Sequence, residues 1–179
     1  AVALTCDARL GLDALTQAVR VAGVSKRADW LKEIAQERQA WEQSVSELRS
    51  SNIAPLHYAR ICHDTGEVVA EKNPQMPVFF DTGHLLSFAP PFLKASSRHV
   101  VHSGFMHRMG WSAAAAIGAS IANGNCPALA LLGDGAFMMR GTAVATAVEQ
   151  NLPIIWVVFN NGSLQIEREL MFRLYGRES

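Results

Sequence analysis

No stretch of this chain is long and apolar enough to cross a bilayer as a helix, which takes roughly 18 residues or more. The run AAAAIGASIA at 113–122 is too short and rich in small residues. Nor does a charged segment lead into a hydrophobic one near the start, as a secretory signal would. Cysteine is scarce: Cys6, Cys62 and Cys126 are odd in number, scattered, and form no C-x-x-C pair. That argues against a disulfide framework and for a reducing, cytoplasmic setting. Excess charge is lacking as well. Sixteen basic residues balance 16 acidic ones with no basic block, so neither nucleic acid nor an anionic membrane is an expected partner. The segment HYARICHD at 57–64 invites a zinc reading, yet His57 and His63 fall on different faces of a helix. A helix with surface histidines is the simpler expectation.

What is present is enough for one sizeable domain with some edges: 179 residues, 49% of them apolar. AVALTC at the start reads as a short buried strand, followed by a helix through GLDALTQAV at 11–19. In the polar stretch 25–50, Trp30, Leu31, Ile34, Trp41, Val45 and Leu48 recur at helical intervals, which predicts an amphipathic linker helix. A further helix is expected from Pro55 to about Lys72, with the proline in its first turn. These features divide the chain into 1–24, the tail of a preceding domain; 25–52, the linker helix; and 53–179, the main domain.

From residue 76 the pattern changes to short apolar runs that each stop at a small polar cluster. MPVFFDTG, HVVHSG, ALALLGDG and PIIWVVFNNG read as four strands. The helices WSAAAAIGASIA, with Gly118 permitting close packing, and TAVATAVEQ lie between them. Nearly continuous Val/Ile/Leu runs predict strands buried on both faces. The expected fold is therefore α/β, a three-layer sandwich around a mostly parallel sheet. In such sheets ligands bind at the carboxyl ends of the strands, where DTG, HSG, GDG and NNG all fall. Each cluster alone could be a plain turn. A strand–helix–strand crossover would set Asp134 and Asn161 side by side at that edge. Their hard oxygen donors suit Mg²⁺ or Ca²⁺, with phosphate oxygens and water completing the shell. Gly133 and Gly135 would let the backbone approach a phosphate. A nicotinamide dinucleotide site is the competing reading of GDGAFM, but Met138 stands where the third glycine belongs and the next strand ends without an acid.

DTGHLL at 81–86, HSGFMHRMGWSAAAAIGAS at 102–120, GDGAF at 133–137 and FNNGSLQIE at 159–167 together resemble the cofactor domain of thiamine-diphosphate enzymes of the acetolactate synthase and pyruvate decarboxylase group. The resemblance covers about 75–179; more weakly, AVALTCDARLGLDAL resembles the end of that group's middle domain. It implies thiamine diphosphate and Mg²⁺ as cofactors. The side chains of Asp134 and Asn161 and the carbonyl of Ser163 would ligate the metal. The amides of Gly135 and Ala136, beside Gly133, would hold the diphosphate, with Gly83, His84 and Leu85 closing over it. Met109 matches the residue that bends the cofactor so that its amino group meets the thiazolium C2. The carbonyl of His107, where a glycine is usual, matches the acceptor for that amino group. Plainer roles also exist: Met109 as core filler, His84 as a loop histidine.

The reaction is less determined. The Met of RMG resembles acetolactate synthases, but Leu170 replaces an expected Trp. Ile166-Glu167 resembles the decarboxylases, where the Glu is an acid/base group; its alternative is a solvated helix charge. The substrate implied is a 2-oxo acid, either decarboxylated or joined to a second carbonyl compound. The implied partner is a pyrimidine-binding domain of a second subunit in a homodimer or homotetramer. The chain begins at Ala1 and ends inside a helical pattern with its sheet incomplete, so a truncated piece is expected. An enzyme part and a non-catalytic dimerisation and cofactor-docking module both remain open.

Overall fold

The computed structural model describes residues 3–23, 27–94 and 99–177. The chain divides into two compact units, 1–45 and 46–179.

In the first unit, helix α1 (Ala8–Ala22) starts where the Asp7 side chain accepts hydrogen bonds from the amides of Arg9 and Leu10. That cap sets the start ahead of the expected Gly11. The described part of AVALTC is not a buried strand: Leu4 is exposed and no strand forms from residue 3 to Asp7. Among the described residues no neighbouring strand is there to pair with it, and an unpaired strand leaves its backbone groups unsatisfied. Ala1 and Val2 lie outside the described residues. Helix α2 (Ala28–Ser44) takes up the polar repeat, while Ser25 and Lys26 again lie outside. It stops at Ser44, whose hydroxyl donates to the Trp41 carbonyl at 2.7 Å, a local bond that competes with helix continuation.

The second unit opens with α3 (Ser46–Ser50) and α4 (Tyr58–Lys72). The latter begins three residues after Pro55, which follows a cis Ala54–Pro55 bond. His57 caps it instead: its Nδ1 accepts from the Ala59 amide at 3.1 Å.

Four parallel strands follow: β1 (Val78–Phe80), β2 (Val100–His102), β3 (Ala128–Gly133) and β4 (Ile154–Phe159). Their order is β2-β1-β3-β4. The connections are α5 (Leu85–Phe92), α6 (Trp111–Ala122), then α7 (Asp134–Arg140) with α8 (Ala143–Glu149), and α9 (Gln165–Tyr175) follows β4. Strand pleat puts alternate residues on opposite faces. Phe79, Ala128, Ala130 and Leu132 meet Ala113 and Ala116 of α6 on one face, and α5 packs against β1 and β3. The fold is α/β with helices flanking an all-parallel sheet.

Burial differs along the sheet. In β3 Leu131 and Leu132 are fully buried, each stabilising by roughly 1.5–3 kcal/mol. On β4, by contrast, Ile155 and Val158 stay exposed, against the expectation of burial on both faces. β4 is an edge strand of the described sheet, with β3 alone beside it. Gly118 is not a close-packing residue either: a Cβ built there meets nothing within 4 Å. The face of α6 that meets the sheet is instead drawn by Ser112, Ala113, Ala116, Ile117 and Ser120, which recur at helical spacing.

The strand order contains a switch point. From β1 the chain moves outward to β2, then returns past β1 to β3 and continues to β4 in the other direction. The carboxyl ends of β1 and β3 thus flank a crevice of the kind that binds ligands in open α/β sheets.

Candidate cofactor site at the strand ends

A cavity of about 350 Å³ opens at this crevice. Gly83, His84 and Leu85 line it from the end of β1, and His107 and Met109 from the turn before α6. Gly133, Asp134, Gly135 and Ala136 contribute from the β3–α7 junction, and Asn161, Ser163 and Glu167 from the segment after β4. The cofactor-binding, metal and acid/base residues that the resemblance implies therefore all line one space. The register explains why: Gly133 pairs with Phe159, so the residues that follow each emerge at the same height.

Asp134 joins the two strand ends. One carboxylate oxygen accepts from the Gly135 amide and the other from the Gly162 amide, both at 2.9 Å. In the NNG turn, Asn160 Oδ1 also accepts from the Gly162 amide at 3.2 Å, and Asn161 Oδ1 accepts from the Ser163 amide at 3.0 Å. The side-chain oxygens of Asp134 and Asn161, the two of these residues that line the cavity, retain lone-pair capacity, so with nearby carbonyls they offer hard oxygen donors. Such a set suits a hard cation and not zinc or copper.

Space for an anion sits beside it. A Cβ at Gly135 would come within 2.9 Å of Leu164 Cδ2 and 3.2 Å of Met109 Cε, so even an alanine would crowd the cavity floor. Gly135 and Ala136 stand in the first turn of α7, whose amides lack the backbone partner of later turns; the Gly135 amide donates to Asp134. The His84 Nε2 lies 3.2 Å from Glu169 Oε1 but off the hydrogen-bonding direction, and this buried nitrogen has no hydrogen-bond partner among the described residues. Hard oxygen donors, a glycine at the cavity wall and a buried imidazole nitrogen without a hydrogen-bond partner among the described residues together fit a metal-bound diphosphate.

Met109 is placed by a residue whose part in the site the sequence did not reveal. Asp81, fully buried just past β1, accepts from the amides of Thr82 at 3.0 Å, Gly110 at 3.0 Å and Ser112 at 2.9 Å, and from the Ser112 hydroxyl at 2.8 Å. The turn carrying Met109 is thereby tied to the end of β1. Gly110 has φ +80° and lies so close to α7 that a Cβ would meet Arg140 Cγ at 2.6 Å and the Ala136 carbonyl at 3.0 Å. No other residue fits there.

His107 is left-handed, with φ 42° and ψ 47°. This conformation suits glycine and costs other residues about 1–2 kcal/mol, which is why glycine is the expected residue here. The backbone keeps the glycine-like shape, and the imidazole stacks on His102 at 5.8 Å with 6° between the planes. Glu167 occupies the first turn of α9, at the cavity wall and exposed.

Tyr58, at the start of α4, is a lining residue that sequence reasoning missed. Its ring packs on Phe159 at 4.8 Å and on Phe88 at 5.5 Å. Burial raises the pKa of its phenol, and the Asp134 carboxylate and Cys62 push the same way. Cys62, buried on the same helix, is pushed up to about 12 by burial.

Residues 81–179 match the family model described as thiamine pyrophosphate enzyme, C-terminal TPP binding domain. Among curated proteins, the chain is 26% identical over 152 residues to the probable acetolactate synthase large subunit of Methanocaldococcus jannaschii, covering 79% of this chain and 26% of that protein. It is 27% identical over 165 residues to the acetolactate synthase of Mycobacterium leprae, covering 92% of this chain and 25% of that one. It is 29% identical over 150 residues to the acetolactate synthase isozyme 1 large subunit of Escherichia coli, covering 79% of this chain and 26% of that one. The chain spans about a quarter of the length of the curated relatives it matches.

Proposed function

This chain belongs to the thiamine pyrophosphate enzyme family, whose C-terminal TPP binding domain it carries, and on that premise we propose that it forms the Mg²⁺- and diphosphate-holding half of an enzyme that makes or breaks C–C bonds next to a carbonyl. One observation carries the reading. The Asp134 carboxylate bridges to the Gly162 amide across the ends of β3 and β4, which gathers Asp134, Asn161 and Ser163 at one wall of the cavity that Gly135 also lines.

When bound, thiamine diphosphate supplies a carbon nucleophile and an electron sink for the bond being cleaved. The rest falls to the chain's own residues. Asp134, Asn161 and the Ser163 carbonyl would hold Mg²⁺. Ala136 would offer its amide to the diphosphate, Gly135 would do so by giving up its bond to Asp134, and His84 would offer its buried Nε2. Met109, tied down through Gly110 and Asp81, would support the cofactor from the side, with the left-handed His107 presenting its carbonyl. Glu167 would move a proton at the cavity wall.

The substrate class proposed is a 2-oxo acid. The relatives' name, acetolactate synthase, favours joining the substrate's acyl part to a second carbonyl compound. Glu167 keeps simple decarboxylation in play. The pyrimidine end of the cofactor would be held by a domain of a second subunit in a cytoplasmic homodimer or homotetramer. A chain a quarter the length of its relatives leaves room for such a domain in the whole protein. Asp134→Ala in the full-length protein tests the metal assignment. Removing this ligand is expected to abolish Mg²⁺-dependent binding of thiamine diphosphate, measured by calorimetry. Unchanged binding would overturn it.

A further inference from the structure

Tyr58 lies outside the segment that matches the family model, about a hundred residues before the loop it touches. Its hydroxyl sits 3.1 Å from the Asn161 amide nitrogen, Nδ2. The orientation of that amide is determined by its other end. The Ser163 backbone N–H can only donate, so the atom 3.0 Å from it must be the carbonyl oxygen, Oδ1. The NH₂ group therefore faces Tyr58, whose hydroxyl oxygen accepts from it.

We infer that Tyr58 is a positioning residue for the cation: it holds the NH₂ of Asn161 so that Oδ1 stays turned towards the metal position. The inference rests on the magnesium reading above. The terminal torsion of an asparagine is broad and nearly two-fold. Without a seat for its NH₂, the amide is held by the Ser163 N–H alone and turns its oxygen away from the cation more readily. With the seat in place, Oδ1 keeps one lone pair on the Ser163 amide and one for the metal. The hydroxyl itself is held by the packing of its ring. Phe159 lies at 4.8 Å, Phe88 at 5.5 Å, and the edge of His84 at 6.1 Å. His57 caps the helix one residue before. The two strand ends that hold the cation are thus braced by a helix from an earlier part of the chain.

The test uses the full-length protein with thiamine diphosphate present and Mn²⁺ as the probe, free Mn²⁺ being counted by electron paramagnetic resonance. Tyr58→Phe removes only the hydroxyl and keeps the ring. It is expected to weaken Mn²⁺ binding about tenfold, the lower end of the range seen when an outer partner of a metal ligand is lost. The thermal midpoint without ligands should stay at the wild-type value. Tyr58→Leu, which also removes the ring, should lower both. If wild-type protein binds Mn²⁺ and Tyr58→Phe binds it equally well, the inference is overturned while the metal site stands. If Tyr58→Phe lowers the midpoint as much as Tyr58→Leu does, the residue is a structural one and the inference is likewise overturned. Failure of the wild-type protein to take up Mn²⁺ would sink the magnesium reading itself, and this inference with it.

Discussion

Replacing Asp81 should damage both the fold and the site, and the size of the damage follows from its partners. Four donors converge on its two oxygens, at 2.8 to 3.0 Å, in a position with no exposed surface. In Asp81→Ala the buried amides of Gly110 and Ser112 lose their acceptor, and each such group costs about 1–3 kcal/mol. Thr82 is half-buried and can take water, and the Ser112 hydroxyl can turn, so these two add less. The relief of a buried carboxylate's desolvation offsets part of the total. The expected loss is about 3–5 kcal/mol, a large share of the roughly 5–15 kcal/mol that holds a domain together. Asp81→Asn keeps one oxygen for Thr82 and Gly110 but turns an NH₂ towards the Ser112 amide. Its cost should be smaller, about 2–3 kcal/mol. Urea unfolding of the full-length protein measures both. Because the same carboxylate fixes the Met109 turn, the Asn variant should also bind thiamine diphosphate more weakly while still folded. An Ala variant within about 1 kcal/mol of wild type, the low end for a single orphaned group, or an Asn variant with unaltered cofactor affinity, would refute the clamp.

Three further outcomes are expected. Gly135→Ala should push against Leu164 and Met109 and lower diphosphate affinity about tenfold or more by calorimetry, with little change in urea midpoint, because both crowded atoms are ends of flexible side chains; normal affinity would show that the cavity floor is not where the diphosphate lies. Glu167→Gln should slow turnover of a 2-oxo acid by about 10²-fold or more if the carboxylate moves a proton, while cofactor affinity is kept; unchanged kinetics would return Glu167 to a solvated helix charge. Burial raises the Cys62 thiol from 9.0 to about 12, so the fold favours its neutral form. That contribution is complete below pH 9 and is lost as pH rises from 9 towards 12. Iodoacetamide at about pH 8, below both values, followed by peptide mass spectrometry, should therefore label the exposed Cys6 and spare Cys62 until the protein unfolds. Equal labelling of the two in native protein would contradict that burial.

Much of the site was legible because its parts sit at the punctuation of the chain. Apolar runs that stop at DTG, GDG and NNG mark both a strand end and the polar atoms displayed there, so Asp134 and Asn161 could be paired from the sequence. What could not be read depended on distance in the sequence. Asp81 stood in view as part of DTG, but its burial and its grip on Gly110 and Ser112 arise only when β1 and α6 pack together. Nothing local in the sequence ties Tyr58 to Asn161, 103 residues away. Two misreadings share a cause. AVALTC has the composition of a buried strand and Gly118 that of a close-packing residue, yet a strand needs a neighbour and a glycine allows close packing only where another element approaches. The order β2-β1-β3-β4, which creates the crevice, is likewise a property of the assembled sheet.

The central claim is that the ends of β3 and β4 form one metal–diphosphate clamp. The most direct test is a calorimetric titration of thiamine diphosphate into the full-length protein, first with Mg²⁺ and then with excess EDTA. Binding that is present with Mg²⁺ and falls sharply in EDTA is the predicted result. Binding of equal strength in both, or none in either, would contradict the clamp.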